Sequence, residues 1–105
     1  MDENTTPIRT LEGLSLRQRY RLLADLLDFF ATDLDQPETR PLRDLVRDPR
    51  FDGCSRKLLQ TVTLALVTAG LLVRPPQSRT RASRYFTSRE GLKVLQDYRD
   101  RLDRL

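Results

Sequence analysis

From Leu16 to Leu34 the apolar residues Leu16, Tyr20, Leu23, Leu27, Phe30 and Leu34 recur at alternating spacings of four and three. Only a helix near 3.6 residues per turn gathers such a series into one stripe. Ser15-Leu16-Arg17-Gln18 places a hydroxyl three residues before an amide, the pattern of a capping box. A first helix is therefore expected over residues 15–33, and Leu22, Leu26 and Phe29 widen its apolar face. The end of the chain repeats the theme. Leu95, Tyr98, Leu102 and Leu105 follow at three, four and three, which predicts a last helix over 89–105, capped by Ser88 or Thr87. Faces this wide have two readings: an ordinary core, or a core extended into a dimer. The dimer reading puts Leu16, Tyr20, Leu23, Leu27, Phe30, Leu95, Tyr98 and Leu102 in the contact between two copies.

Between these ends the chain is punctuated. Asp35-Gln36-Pro37-Glu38 interrupts, and Pro41 suits the first turn of a short helix from Leu42 to about Arg47, with Leu42, Leu45 and Val46 inward. Asp48-Pro49 ends it, because a residue before proline avoids helical geometry. Phe51 is expected to pin the following turn to the core, and Asp52-Gly53 completes that turn. A longer helix over 55–69 then stops at Gly70. Leu71-Leu72-Val73-Arg74 reads as a strand, residues 75–83 as a loop and Arg84-Tyr85-Phe86-Thr87 as the returning strand. The fold class predicted is mainly α with a small β-hairpin. Residues 1–13 are expected to form a mobile arm ahead of one domain, 14–105.

Charge is distributed unevenly along this pattern. Residues 1–40 carry five Arg against eight acids, residues 41–89 carry ten basic residues against three Asp, and residues 90–105 balance four against four. A concentrated basic segment is the footprint expected of a surface that meets phosphates. Its plainer reading is a solvated arginine-rich face, since 17 of the 19 basic residues are Arg.

Several function classes are disfavoured. The chain has no His and one Cys, Cys54, so neither a Cys-rich zinc site nor a disulfide framework can be assembled. No Gly-rich phosphate loop and no convincing pair of carboxylates is present, and the expectation is a protein that is not an enzyme and needs no cofactor. The acidic opening Met1-Asp2-Glu3-Asn4 is unlike a signal peptide, and Leu58–Val73 is too short and too polar to span a bilayer. A cytoplasmic, nucleoid-associated location and no membrane partner are expected.

The element order, together with two stretches of sequence, resembles a known family. Ala69-Gly70-Leu71-Leu72-Val73-Arg74 is similar to the junction after the recognition helix in winged helix-turn-helix regulators of the MarR and PadR type. Arg84-Tyr85-Phe86-Thr87-Ser88-Arg89-Glu90-Gly91 is similar to their entry into the last helix, with Tyr85 and Gly91 at the family's spacing. The chain departs from that pattern in three places. Thr87-Ser88 stands where the family has Leu-Thr, the turn from Asp48 to Cys54 is long, and the wing carries Pro75-Pro76 and no Gly. The resemblance implies a dimeric transcriptional regulator, by preference a repressor, that binds double-stranded DNA. Helix 55–69 would enter the major groove and wing 74–84 would lie on the adjacent minor groove. It also leaves room for a protein adapter, or for an architectural or plasmid-maintenance role without effector sensing. A small-molecule effector stays open but unsupported: Tyr98 and Phe30 have two readings, lining a ligand cavity between subunits or packing in the core or interface.

The residues suit that expectation. The helix that begins at Ser55 offers Arg56, Lys57, Gln60 and Thr61 in its first turns. Arg matches guanine, Gln matches adenine, and Ser or Thr bonds phosphate or base. Leu64 has two readings, contact with a thymine methyl or packing against the short helix. Arg79, Thr80, Arg81 and Arg84 of the wing would insert into the minor groove, touch phosphates or face solvent, and Arg43 and Arg47 would contact the backbone. Cys54, at the positive end of a helix, is either a redox-sensitive thiol or a small half-buried side chain.

Overall fold

The computed structural model describes residues 10–76 and 83–105, and within them it is mainly helical with a small antiparallel sheet. In chain order the elements are a 3-10 turn Leu11–Gly13, α1 (Leu16–Phe29), β1 (Arg40–Pro41), 3-10 turns Leu42–Arg47 and Pro49–Phe51, α2 (Arg56–Thr68), β2 (Leu72–Val73), β3 (Arg84–Thr87) and α3 (Arg89–Arg104). The sheet order is β1-β3-β2. Arg40 lies opposite Tyr85 and Pro41 opposite Arg84, while Leu72 faces Thr87 and Val73 faces Phe86. Pro41 is tolerated because β1 is an edge strand, where a missing N–H breaks no ladder.

α1 starts as expected. The Ser15 hydroxyl accepts from the Gln18 amide at 3.2 Å, and the Gln18 side chain accepts from the Ser15 amide at 2.8 Å. The helix ends four residues earlier than Asp33, and the cause is tertiary. Thr87 Oγ1 donates to the Leu27 carbonyl at 2.6 Å, Arg40 Nη1 donates to the Phe29 carbonyl at 3.0 Å, and the Thr87 amide donates to the Phe30 carbonyl at 2.9 Å. Carbonyls that another turn of helix would have used are thus satisfied from β1 and β3. Beyond them Thr32 and Asp33 accept from the amides of Glu38 and Asp35, short polar bonds that compete with helical ones.

The expected short helix 42–47 is wound as a 3-10 helix. Its three residues per turn place Leu42 and Leu45 above one another. Leu45 is buried, and Val46 is turned outward at 57% exposure, contrary to its expected inward position. Phe51 is buried as expected, and Gly53 at φ +90° makes the turn into α2. At the other end of α2, the Gly70 amide donates to the Val67 carbonyl at 3.0 Å and the Leu71 amide to the Leu66 carbonyl at 2.9 Å. With Gly70 at φ +78°, this is a Schellman stop.

An aromatic chain runs through the core. Phe51 meets Phe29 edge-on at 6.0 Å, Phe29 meets Phe30 at 4.9 Å, and Phe30 meets Tyr85 at 5.7 Å. Each buried aromatic contributes on the order of 2–3 kcal/mol through removal from water. Together they lock the 3-10 turn Pro49–Phe51, α1 and β3 into one body.

α1 and α3 pack on each other within the same chain, and this revises the expected dimer contact. Leu27, Phe30 and Leu95 are buried in the chain's own core. Tyr20 stacks on Tyr98 at 5.4 Å, and Leu23 and Leu102 lie half-buried against the core. Of the eight residues expected between copies, only Leu16, at 57% exposure, stands well clear of the chain's own packing. The wide stripes are largely filled by each other and by the sheet. Of the expected arm, residues 1–9 lie outside the described residues, and Leu11–Gly13 form a 3-10 turn in which Leu11 packs against the core. No helix of the described residues is long and apolar enough to cross a membrane.

Candidate nucleic-acid interface

α2 divides its residues cleanly. Leu58, Leu59, Val62, Thr63 and Leu66 are buried, whereas Arg56, Gln60 and Leu64 are exposed at four-residue spacing, which aligns them along one face. The helix is held at its start by Ser55, whose hydroxyl accepts from the Leu58 amide at 3.0 Å. That face forms one wall of an open groove of about 390 Å³. Leu42 and Arg43 from the 3-10 turn, Arg74 after β2, and Ser83 and Tyr85 on β3's side complete it. Tyr85 is buried with its ring against Phe30, so the core braces the groove from behind.

The electrostatics of the groove are one-sided. Arg43, Arg56 and Arg74 line it with no carboxylate among its lining residues. Among the described residues none of the three forms an ion pair. Three neighbouring cations without a counter-charge repel one another and attract an anion from solution. The positive end of α2 adds to the same potential.

The remaining expected site residues fall elsewhere. Lys57 and Thr61 sit on the next face of α2 and line a separate groove of about 540 Å³ with Leu11 and Glu12. Arg47 lies in a third groove with Arg40, Asp44 and Asp48. In an α-helix Arg43 and Arg47 would share a face; at three residues per turn, four positions leave them about 120° apart. Arg84 is used internally. Its Nε donates to Thr39 Oγ1 at 2.9 Å and its Nη2 to the Thr39 carbonyl at 2.8 Å, which ties β3 to the segment before β1. Ser55 serves as the helix cap. Arg79, Thr80 and Arg81 lie outside the described residues. The structure therefore brings together Arg43, Arg56, Gln60 and Leu64, and it adds Arg74 and Ser83. Arg74 was legible as the last residue of a predicted strand, where wing 74–84 begins. Ser83 carried no comparable signal.

Cys54 is half-buried, and burial pushes its thiol above the ordinary value, the opposite of an activated thiolate. Among the described residues no group of three or more His, Cys, Asp or Glu is placed to hold a metal ion. Comparison with protein-family models, with curated proteins and with solved structures finds no match to this chain.

Proposed function

We propose that this chain binds double-stranded DNA through the groove beside α2 and acts as a sequence-specific transcriptional regulator of winged-helix architecture in the cytoplasm. The observation that carries the reading is the set of Arg43, Arg56 and Arg74, which form no ion pair among the described residues, around Gln60 and Leu64 on the exposed face of one helix. A helix is the element that fits the major groove of B-DNA, and Arg and Gln are the side chains that pair bidentately with guanine and adenine there. Arg43 and Arg74 flank that strip and suit phosphates, which fix register without reading sequence. The order α1, β1, 3-10 turn, α2, β2, β3, α3 supports the architecture, with the connection from β2 to β3 as the wing.

The active form in this reading is a homodimer that presents two copies of α2 about 34 Å apart to successive turns of one duplex. The surface left for that contact is the joined end of α1 and α3. There Leu16 and Leu105 are exposed, and Arg17 Nη1 donates to the Leu105 carbonyl at 3.1 Å. Anisotropy titration of a labelled duplex at several salt concentrations tests the reading. With roughly four phosphates neutralised per protomer, log affinity falls against log salt with a slope of about −7 for the dimer. A slope near zero, or no binding at low salt, would overturn it.

A further inference from the structure

Leu64 is an anomaly in the groove that the arginines define. It is 43% exposed, and it stands on the same strip as Arg56 and Gln60, one helical turn beyond the amide. Packing against the 3-10 turn leaves much of the side chain in water, although Leu42 lines the same groove. An apolar side chain surrounded by cations gains nothing from a phosphate. It gains when the ligand that neutralises those cations also presents an apolar group beside them. In the major groove of duplex DNA that group is the 5-methyl of thymine, the one hydrocarbon among the donors and acceptors of the base edges.

We infer that Leu64 is a specificity-determining residue that reads a thymine methyl. The inference rests on the duplex-binding reading above and deepens it. Along α2 the distance from Arg56 to Leu64 is eight residues, about 12 Å of helix axis. At 3.4 Å per base pair this is between three and four steps, so the thymine falls within four or five base pairs of the guanine and adenine suited to Arg56 and Gln60. The strip is ordered as cation, amide, hydrocarbon, and a preferred half-site carries the matching features in the same order.

Deoxyuridine differs from thymidine only by that methyl group, which makes the test direct. Duplexes bound by the full chain are selected from a random pool, and each thymine of the preferred half-site is replaced in turn by deoxyuridine. The wild-type chain is expected to lose on the order of fourfold in affinity at one position per half-site, the effect of one buried methyl group. Leu64→Ala binds the thymine duplex more weakly and no longer distinguishes it from the deoxyuridine duplex, while Leu64→Met, still apolar, keeps the distinction. Circular dichroism of both variants checks that the fold is retained, as expected for a partly exposed side chain. Equal wild-type affinity for every thymine and deoxyuridine pair overturns the role of Leu64 but leaves duplex binding standing. Persistence of the distinction in Leu64→Ala also overturns it. Failure to select any duplex overturns both readings at once.

Discussion

Arg40, Arg50, Arg84 and Arg99 each have an internal acceptor, whereas Arg43, Arg56 and Arg74 surround a groove and form no ion pair among the described residues. The first group stitches the fold. Asp28 receives Arg50 and Arg99, both at 2.7 Å, and so joins α1 to the 3-10 turn Pro49–Phe51 and to α3. Arg40 lies 3.8 Å over the Phe29 ring while it caps α1. The second group ties no two elements together by an ion pair among the described residues. One residue type thus serves two ends, and sequence position does not separate them: Arg84 and Arg74 flank the same hairpin and belong to different groups. What separates them is the presence of an acceptor within reach, and each group can be removed by mutation without touching the other.

The largest effect is expected where the two regions share a support. Phe30 is fully buried between Phe29 and Tyr85. Phe30→Ala should cost about 3–5 kcal/mol in urea unfolding, and it should weaken duplex binding as well because Tyr85 loses its backing. If stability fell and binding per folded molecule did not, the groove would be independent of the core. Gly91 comes next, because a Cβ there would run into the Leu71 carbonyl and Thr87 Cγ2. Gly91→Ala should cost about 2–3 kcal/mol by forcing α3 away from the end of α2, where Ser88 Oγ now donates to the Gly70 carbonyl at 2.6 Å. A variant as stable as wild type would mean that this seam is not tight.

Arg84→Ala sharpens the comparison. Loss of both bonds to Thr39 should lower stability by about 1–2 kcal/mol with little change in affinity of the folded protein for duplex. A strong loss of affinity at unchanged stability would move Arg84 into the binding group. The smallest effect lies on the acid limb of stability. Hydrogen bonds from Arg50 hold the Asp48 carboxyl below its ordinary value. A depressed folded value means that its contribution is complete above the unfolded pKa and is lost as pH falls through the folded one. Asp48→Asn keeps an acceptor for the Arg50 amide and removes the charge. It should flatten the acid limb by less than about 1 kcal/mol, as befits a pair near the surface. Acid unfolding monitored by circular dichroism decides it, and an unchanged limb would remove Asp48 from the account.

Much of this architecture was legible where the signal is local. Ser15 with Gln18, Ser55 before α2, Gly70 after it and Ser88 before α3 act through bonds spanning a few residues, and each stands where the pattern placed it. What escaped depends on distant partners or on short elements. The early end of α1 is made by Thr87, sixty residues away from Leu27, and the use of Arg84 by Thr39, forty-five residues away. β1 has two residues, one of them proline, too few to show an alternation. Over six residues, apolar positions three apart fit a 3-10 helix and an α-helix equally, so the divergence of Arg43 from Arg47 was hidden. The stripes over Leu16–Leu27 and Leu95–Leu102 lie on helices, whereas Phe30 and Leu34 fall beyond the end of α1, and a stripe does not say whether its cover is the same chain or another. For Leu27, Phe30 and Leu95 the cover is the chain itself.

The central claim is that the groove arginines Arg43, Arg56 and Arg74, which form no ion pair among the described residues, are the ones that hold DNA. Duplex affinity of the triple variant Arg43→Ala, Arg56→Ala, Arg74→Ala, set beside that of the double variant Arg40→Ala, Arg84→Ala at matched folded fraction, tests it most directly. The triple variant should keep its melting temperature and lose at least about a hundredfold in affinity, while the double variant melts lower and binds nearly as wild type. Equal affinities for the two, or a tighter triple variant, would contradict the assignment of the groove.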